Sequence, residues 1–160
     1  MREAQAWWKK AKGDLDVAKY NLDGDMLDAA AFFAQQAAEK ALKSLQNIVR
    51  HKTIYNLTCF PGMSNPPYSP FSKGGFRGIF IRSYAGYYKK FAKFEKTHDL
   101  VLIAKHIGAP EKVIALTEKI TPFYTITRYP DVEISYDKRE VSSIIEASEE
   151  VMEWVKRELD

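Results

Sequence analysis

The pentapeptide TRYPD, at residues 127–131, contains side chains that could bind a phosphate. Tyr129 precedes a proline and is therefore biased toward extended backbone, which would lift Arg128 out of the helical segment before it. The planar guanidinium of Arg128 could then donate to a phosphate, or it could cap the end of that helix. The residues alone allow both interpretations.

A second candidate is a polar stripe on a segment that is otherwise rich in alanine. Its members share one face of a predicted helix, at spacings of four, three and four residues, and are Gln36, Lys40, Lys43 and Asn47. The stripe could present its amide and ammonium groups to a ligand. The alternative is a solvated helix face on which Glu39 and Lys43 form an ion pair one turn apart.

Histidine and cysteine offer little catalytic chemistry in this sequence. His51, His98 and His106 are scattered, and none stands in a paired helical spacing with another histidine or a carboxylate that matches a known ligand set, so we predict no metal site and no cofactor. Cys59 is the single cysteine, which excludes an internal disulfide, and it has no recognisable base beside it. A reducing cytoplasm is the expected compartment.

The cations are concentrated in the middle of the chain. Residues 40–94 contain ten Lys or Arg and no Asp or Glu, whereas the remainder has 14 basic and 21 acidic residues, for a net charge of +3. Such a segment could attract the phosphates of a nucleic acid or of a nucleotide. It could equally pair with the acidic remainder of its own chain or of a second copy.

Helical periodicity predicts two long helices before residue 50, one over residues 3–22 and one from about Asp25, separated by a stop at Gly24. The apolar positions of the first are Ala4, Trp7, Trp8, Ala11, Leu15, Ala18 and Leu22. The predicted buried side of the second includes six alanines, Ala30, Ala31, Ala34, Ala37, Ala38 and Ala41. Small side chains let helix axes approach closely, which suits the centre of a bundle or a dimer interface.

Helical signals resume near Thr97, which we predict to cap a helix over residues 98–107. Pro110 then occupies a tolerated first-turn position of the next helix. Asp137 and Glu140 form a predicted reciprocal cap at the start of a long last helix.

Residues 55–94 interrupt the helical pattern. They hold four of the seven prolines, five of the eight glycines and eleven of the 21 aromatic residues, so we predict an irregular insert. Its basic and aromatic end, residues 76–94, could stack bases and follow a phosphate backbone. The alternative is that these rings pack against the helices or against a partner subunit.

The length of 160 residues favours one domain, residues 1–160, and no apolar run approaches the roughly 18 residues that would span a bilayer. We predict an all-α fold: an antiparallel, up-and-down bundle of four to five helices, with a long irregular insert between helices 2 and 3.

Four segments follow a recognisable order: DLDVAKYNLDGDMLDAAAFFAQQAAEKALKSL, THDLVLIAKHIG, YTITRYPD and the closing EWVKREL. Together they resemble the HEPN domain, the helical module named for higher eukaryotes and prokaryotes nucleotide-binding, over residues 3–46 and 97–159. The resemblance implies four main helices and a homodimer. It also implies a frequent genetic association with a minimal nucleotidyltransferase, as a two-component or toxin–antitoxin pair.

Many members of that family are metal-independent ribonucleases that use an arginine and a histidine separated by four to six residues. No Arg in this chain is followed by His after such a gap. Without that histidine, acid–base chemistry on a 2′-hydroxyl loses its most suitable group near neutral pH. We therefore predict a module without catalytic activity.

This module is expected to bind a nucleotide or an RNA phosphate, or to present the same surface to a nucleotidyltransferase, without entering a membrane. The candidate ligand-binding residues are Arg128, Tyr129, Lys40, Gln36, Lys43 and His98. One alternative is an RNA-cleaving toxin with an atypical acid or base. Another is a helical scaffold whose only activity is oligomerisation.

Overall fold

A computed structural model describes residues 2–58, 97–123 and 137–159 and, within them, the side chains of all but residues 50–58. These residues form five helices and no strand: α1 (Arg2–Asp23), α2 (Leu27–Thr58), α3 (Leu100–His106), α4 (Glu111–Ile120) and α5 (Lys138–Leu159). The predicted all-α class is confirmed for this part of the chain. None of these helices is long and apolar enough to cross a bilayer.

The chain divides into two compact units, one of residues 1–49 and 97–160 and the other of residues 50–96. The division falls near the limits of the predicted insert, although α2 continues to Thr58 and so passes its predicted start. Cys59 and the basic and aromatic residues 76–94 lie outside the described residues. The interpretations attached to them therefore stay predictions.

The core of the first unit is built from the predicted apolar stripes. Six of the seven alanines of α2, those at positions 30, 31, 34, 37, 38 and 41, are fully buried within the single chain, which favours the interior of the bundle over a dimer interface for this face. Larger side chains from the other helices fill the volume beside them, among them Leu100, Ile103, Ile120, Val141, Val151 and Val155. The small residues matter because they let neighbouring helices approach the α2 backbone.

The long helix α5 packs against both α1 and α4. Its outer side carries ion pairs from Glu149 to Lys19 and from Glu150 to Lys112. The pKa of Lys19 is raised because its ammonium donates a hydrogen bond to the Glu149 carboxylate. Exposed pairs of this kind contribute only about 0–1 kcal/mol, so burial of the apolar face of α5 supplies most of the packing energy.

Two of the three helix starts predicted after residue 96 are wrong in detail. Asp99, and not Thr97, caps α3, because its Oδ1 accepts from the backbone N–H groups of Val101 and Leu102 at 2.9 and 3.1 Å. The Thr97 hydroxyl oxygen instead accepts from the backbone N–H of Asp99 at 3.0 Å. Pro110 is the N-cap of α4 and lies just outside its first turn.

The predicted reciprocal cap of α5 is confirmed. The backbone N–H of Glu140 donates to Asp137 Oδ1 at 2.7 Å, and the backbone N–H of Asp137 donates to Glu140 Oε2 at 3.1 Å. Two backbone N–H groups that have no partner within the helix are thereby hydrogen-bonded.

At the end of α1, the residue that adopts the left-handed backbone conformation is not the predicted one. Asp25 has φ 56°, and the N–H groups of Asp25 and Met26 return to the carbonyls of Leu22 and Asn21 at 3.2 and 2.8 Å. This is a Schellman motif with an aspartate where glycine is usual. Gly24 precedes that position, so its freedom from a Cβ is not what ends the helix.

We expect Asp25→Gly to be more stable than Asp25→Ala by about 0.5–1 kcal/mol. Both variants lose the exposed ion pair from Lys138 Nζ to Asp25 Oδ1, so the comparison isolates the backbone. Only glycine adopts a positive φ without a Cβ penalty, and its greater freedom in the unfolded chain offsets part of that gain. Urea unfolding of the two proteins measures the difference; equal midpoints would mean that this position is not strained.

Candidate functional site

Seven polar side chains from α1, α2 and the segment before α3 form one continuous hydrogen-bonded chain, which we call the polar network. In bonding order its members are Asp14, Lys40, Gln36, Gln35 and Glu39, with Glu39 bonded in turn to both Lys43 and His98. Four of the six candidate ligand-binding residues belong to it: Gln36, Lys40, Lys43 and His98. The structure thus brings together candidates that are up to 62 positions apart in the sequence.

Glu39 is the branching point of the polar network. Its Oε1 accepts from Lys43 Nζ at 2.7 Å and from His98 Nδ1 at 2.9 Å, and its Oε2 accepts from Gln35 Nε2 at 3.1 Å. The Glu39 side chain is only 5% exposed, and a buried carboxylate requires partners of this kind. The predicted Glu39–Lys43 ion pair is confirmed, but the solvated face on which it was placed is wrong.

The other end of the polar network connects α1 to α2. The Lys40 ammonium forms an ion pair with the Asp14 carboxylate and donates to Gln36 Oε1 at 3.3 Å. Gln36 Nε2 donates in turn to Gln35 Oε1 at 2.7 Å, which joins the two ion pairs. Lys40 and Lys43 therefore pair with acidic groups of their own chain, one of the alternatives for the basic segment.

The polar network is layered by depth. The carboxylate side chains of Asp14 and Glu39 are 11% and 5% exposed, whereas the lysine side chains paired with them are 16% and 20% exposed. The side chain of His98 is 49% exposed. Because a carboxylate oxygen carries no hydrogen, His98 donates from Nδ1, which fixes the orientation of its ring. The two lysines and His98 are consequently more exposed than the acids with which they pair.

Trp7 of α1 lies beside Lys43 of the polar network. Lys43 Nζ is 5.8 Å from the centroid of the Trp7 ring, a cation–π distance, and Trp7 is 37% exposed. The sequence pattern counted Trp7 among the apolar positions of α1, but it is Trp8 that packs against the core. Trp7 and Asp14 are two helical turns apart and so share a face, but nothing in the sequence shows that this face meets Lys40 and Lys43.

Two candidate residues cannot be related to the polar network. Arg128 and Tyr129 lie outside the described residues, so their role stays a prediction. Among the residues that the structure does describe, no three His, Cys, Asp or Glu side chains are placed to hold a metal ion.

A cavity of about 430 Å³ lies where α4 ends and α5 begins. Lys119 and Arg139 line it together with Asp137 and Glu140, so its charges balance. The two acids already cap α5, and the Lys119 ammonium donates to the Ser143 hydroxyl. None of the candidate ligand-binding residues that the structure describes lines this cavity.

Comparison with known proteins places these helices in a family. The sequence model of the HEPN domain family matches residues 4–53 and 84–158. The chain is similar to the crystal structure of ST0689, an archaeal HEPN homologue, with 22% identity and a TM-score of 0.60 over 100% of both chains. It is also similar to TT1696 from Thermus thermophilus, with 19% identity and a TM-score of 0.64 over 98% of each chain. No curated protein matches the chain.

Proposed function

This chain belongs to the HEPN domain family, and from that premise we propose that it is a module that binds a ribonucleotide unit, free or within RNA, without cleaving it. The observation that carries the proposal is the layering of the polar network, in which two lysines and a histidine cover buried carboxylates.

The layering favours an anionic ligand because it pre-organises the donors. A lysine on an open surface loses about 2 kcal/mol of rotamer entropy when a ligand immobilises it. Here Asp14 and Glu39 already restrain the ammonium groups of Lys40 and Lys43 from below. A phosphate oxygen that approaches from solvent therefore meets donors whose positions are set before binding.

The same pairing limits the affinity. Two carboxylates balance two ammonium groups, so the paired lysines carry no excess positive charge. We propose that Arg128 supplies the further cation, because its guanidinium can donate two parallel hydrogen bonds to a phosphate. Binding is then expected to be modest and to weaken with salt.

No arginine in this sequence is followed by a histidine at the spacing of four to six residues that the ribonucleases of the family use, and this supports a binding role without cleavage. One contact favours the alternative of an atypical ribonuclease: the half-exposed His98 is oriented by Glu39 as a general base is oriented by its carboxylate. We therefore keep metal-independent RNA cleavage by a toxin-like protein as the second candidate, with His98 as its acid or base.

We expect the purified protein to bind adenosine 5′-monophosphate and a short single-stranded RNA in calorimetry. Lys43→Ala and Arg128→Ala should each weaken this binding by about tenfold, which corresponds to about 1.4 kcal/mol for one lost charge-assisted contact. Lys43 is the better position to test than Lys40, because Glu39 keeps Gln35 and His98 as partners when the ammonium is removed.

Lys156→Ala, which removes an exposed cation from the last turn of α5, is the matched control and should bind as the parent does. No binding by the parent, or equal affinity in all four proteins, would contradict the proposal. RNA that is cut in the presence of a chelator by the parent, but not by a His98→Gln variant, would establish the second candidate instead. A protein that only oligomerises would bind neither probe.

The homodimer and the nucleotidyltransferase partner belong to the same proposal. We propose both only because the resemblance to the family implies them. Light scattering of the purified chain tests the first, and co-purification with the product of an adjacent nucleotidyltransferase gene tests the second.

A further inference from the structure

We propose that Trp7 is the platform on which the base of the bound nucleotide stacks, so that the site recognises a nucleotide in preference to a bare phosphate. This inference rests on the proposed function and assigns a ligand group to a residue outside the predicted set. It starts from an exposed indole placed beside the cationic layer of the polar network.

The position of Trp7 relative to the lysines fits one nucleotide. Lys43 Nζ is 5.8 Å from the indole centroid, and Lys40 lies about one turn closer to the N-terminus of α2, an axial distance of about 4.5 Å. Trp7 meets Lys43 and Asp14 meets Lys40, so α1 and α2 run antiparallel here and the aromatic ring stands at one end of the cationic row. A base on the ring would direct its phosphate along that row.

The exposure of Trp7 is not explained by core packing. Its neighbour Trp8 packs against the buried cluster, whereas Trp7 keeps more than a third of its surface open to solvent. Other large apolar side chains of the described residues are exposed too, and Tyr20 is the most exposed of them. What distinguishes Trp7 within the described part of the chain is the lysine ammonium that lies over its ring.

The chemistry of the pair selects an aromatic ligand with an anionic substituent. Bases stack on tryptophan with about 1–3 kcal/mol per base, and this contact is tolerant of base identity because every base has a π-face. The ammonium of Lys43, which lies 5.8 Å from the centre of the ring, would supply the positive charge for the anionic substituent. Inorganic pyrophosphate has no ring and would use only the cationic groups of the site.

The experiment compares three probes, which are adenosine 5′-monophosphate, a short single-stranded RNA and inorganic pyrophosphate. Trp7→Ala should weaken binding of the first two by roughly 5- to 150-fold and leave pyrophosphate affinity within about twofold. Trp7→Phe should show a smaller loss, because a phenyl ring still stacks. The ratio of the effects on the two nucleotide probes tells whether a free nucleotide or RNA is the preferred source of the base.

Intrinsic fluorescence gives a second measurement that does not depend on the size of the affinity change. Base stacking on Trp7 should alter the emission of the parent during titration, and this change should disappear in Trp7→Phe and persist in the matched variant Trp8→Phe. The unfolding midpoint of each variant shows whether it retains the parent fold.

The outcomes separate this inference from the proposed function. A parent that binds nucleotides while Trp7→Ala binds them equally well would overturn the stacking inference and leave the binding function intact. Equal losses for nucleotides and pyrophosphate in Trp7→Ala would overturn it as well, since they indicate a general structural role. A parent that binds none of the three probes would refute both.

Discussion

Replacing Lys40 by alanine is expected to lower the free energy of unfolding by about 2–3 kcal/mol, a large effect for a residue on a polar stripe. The substitution leaves the Asp14 carboxylate, whose side chain is 11% exposed, without its cation and removes a donor from Gln36. Breaking a fully buried ion pair costs about 3–5 kcal/mol, and the remaining exposure of this pair lowers that figure. Urea unfolding followed by circular dichroism measures the change.

A double-mutant cycle tests whether the unpaired acid is the cause. Asp14→Ala in the Lys40→Ala background should recover part of the loss, because no unpaired charge then remains, so the two substitutions should not be additive. Lys156→Ala on the exposed end of α5 should change stability by less than about 0.5 kcal/mol. Additive effects of Lys40→Ala and Asp14→Ala would show that their ion pair contributes nothing to the fold.

The cycle also bears on function. If Lys40 holds the Asp14 carboxylate and Gln36 in place, its loss should weaken nucleotide binding partly through a disordered site. Loss of Lys43 should act mainly through the contact itself, because Glu39 retains two other donors. Comparing unfolding and binding for both variants separates positioning from direct recognition.

Leu100→Ala is expected to lower the free energy of unfolding by about 2–5 kcal/mol. Leu100 is the first residue of α3, is fully buried, and belongs to the core cluster with Ile103 and Ala104. Truncation removes apolar area and leaves a cavity that its close-packed neighbours fill only in part. Thermal or urea unfolding of the variant measures the loss.

The matched control is Leu102→Ala, the same substitution two residues later in the same helix. Leu102 is 44% exposed, so its truncation should cost less than about 1 kcal/mol. Similar losses of unfolding free energy at the two positions would mean that the helix propensity of the residue, and not its burial, determines the loss. Because Leu100 follows His98 and Asp99 directly, its variant should also weaken the His98–Glu39 contact and hence nucleotide binding.

Much of the fold follows from local sequence pattern. Apolar residues spaced by three and four, such as those of α1 and α5, can only be buried together on one side of a helix, so periodicity alone locates those helices. The cap formed by Asp137 and Glu140 is likewise local, because donors and acceptors lie within four residues. The all-α class and the HEPN resemblance were therefore accessible from the residues.

Local rules failed where two nearby residues competed for one role. Asp25, and not Gly24, adopts the positive φ at the end of α1, whereas Gly108 does so at the end of α3. Asp99 replaces Thr97 as the α3 cap because its carboxylate reaches two backbone donors. In each case the choice depends on backbone register of one or two residues, which composition does not resolve.

The sequence by itself determined the helices, the alanine-rich face of α2, the stripe of Gln36, Lys40 and Lys43, and the absence of an Arg and His pair at the family spacing. These are properties of spacing along one segment. Only the tertiary structure decided that the stripe is partly buried, that Asp14 and His98 join it, and that Trp7 stands open at its end. The physical reason is that an ion pair or a stacked contact depends on which helix faces meet, and that is set by the packing of the whole core.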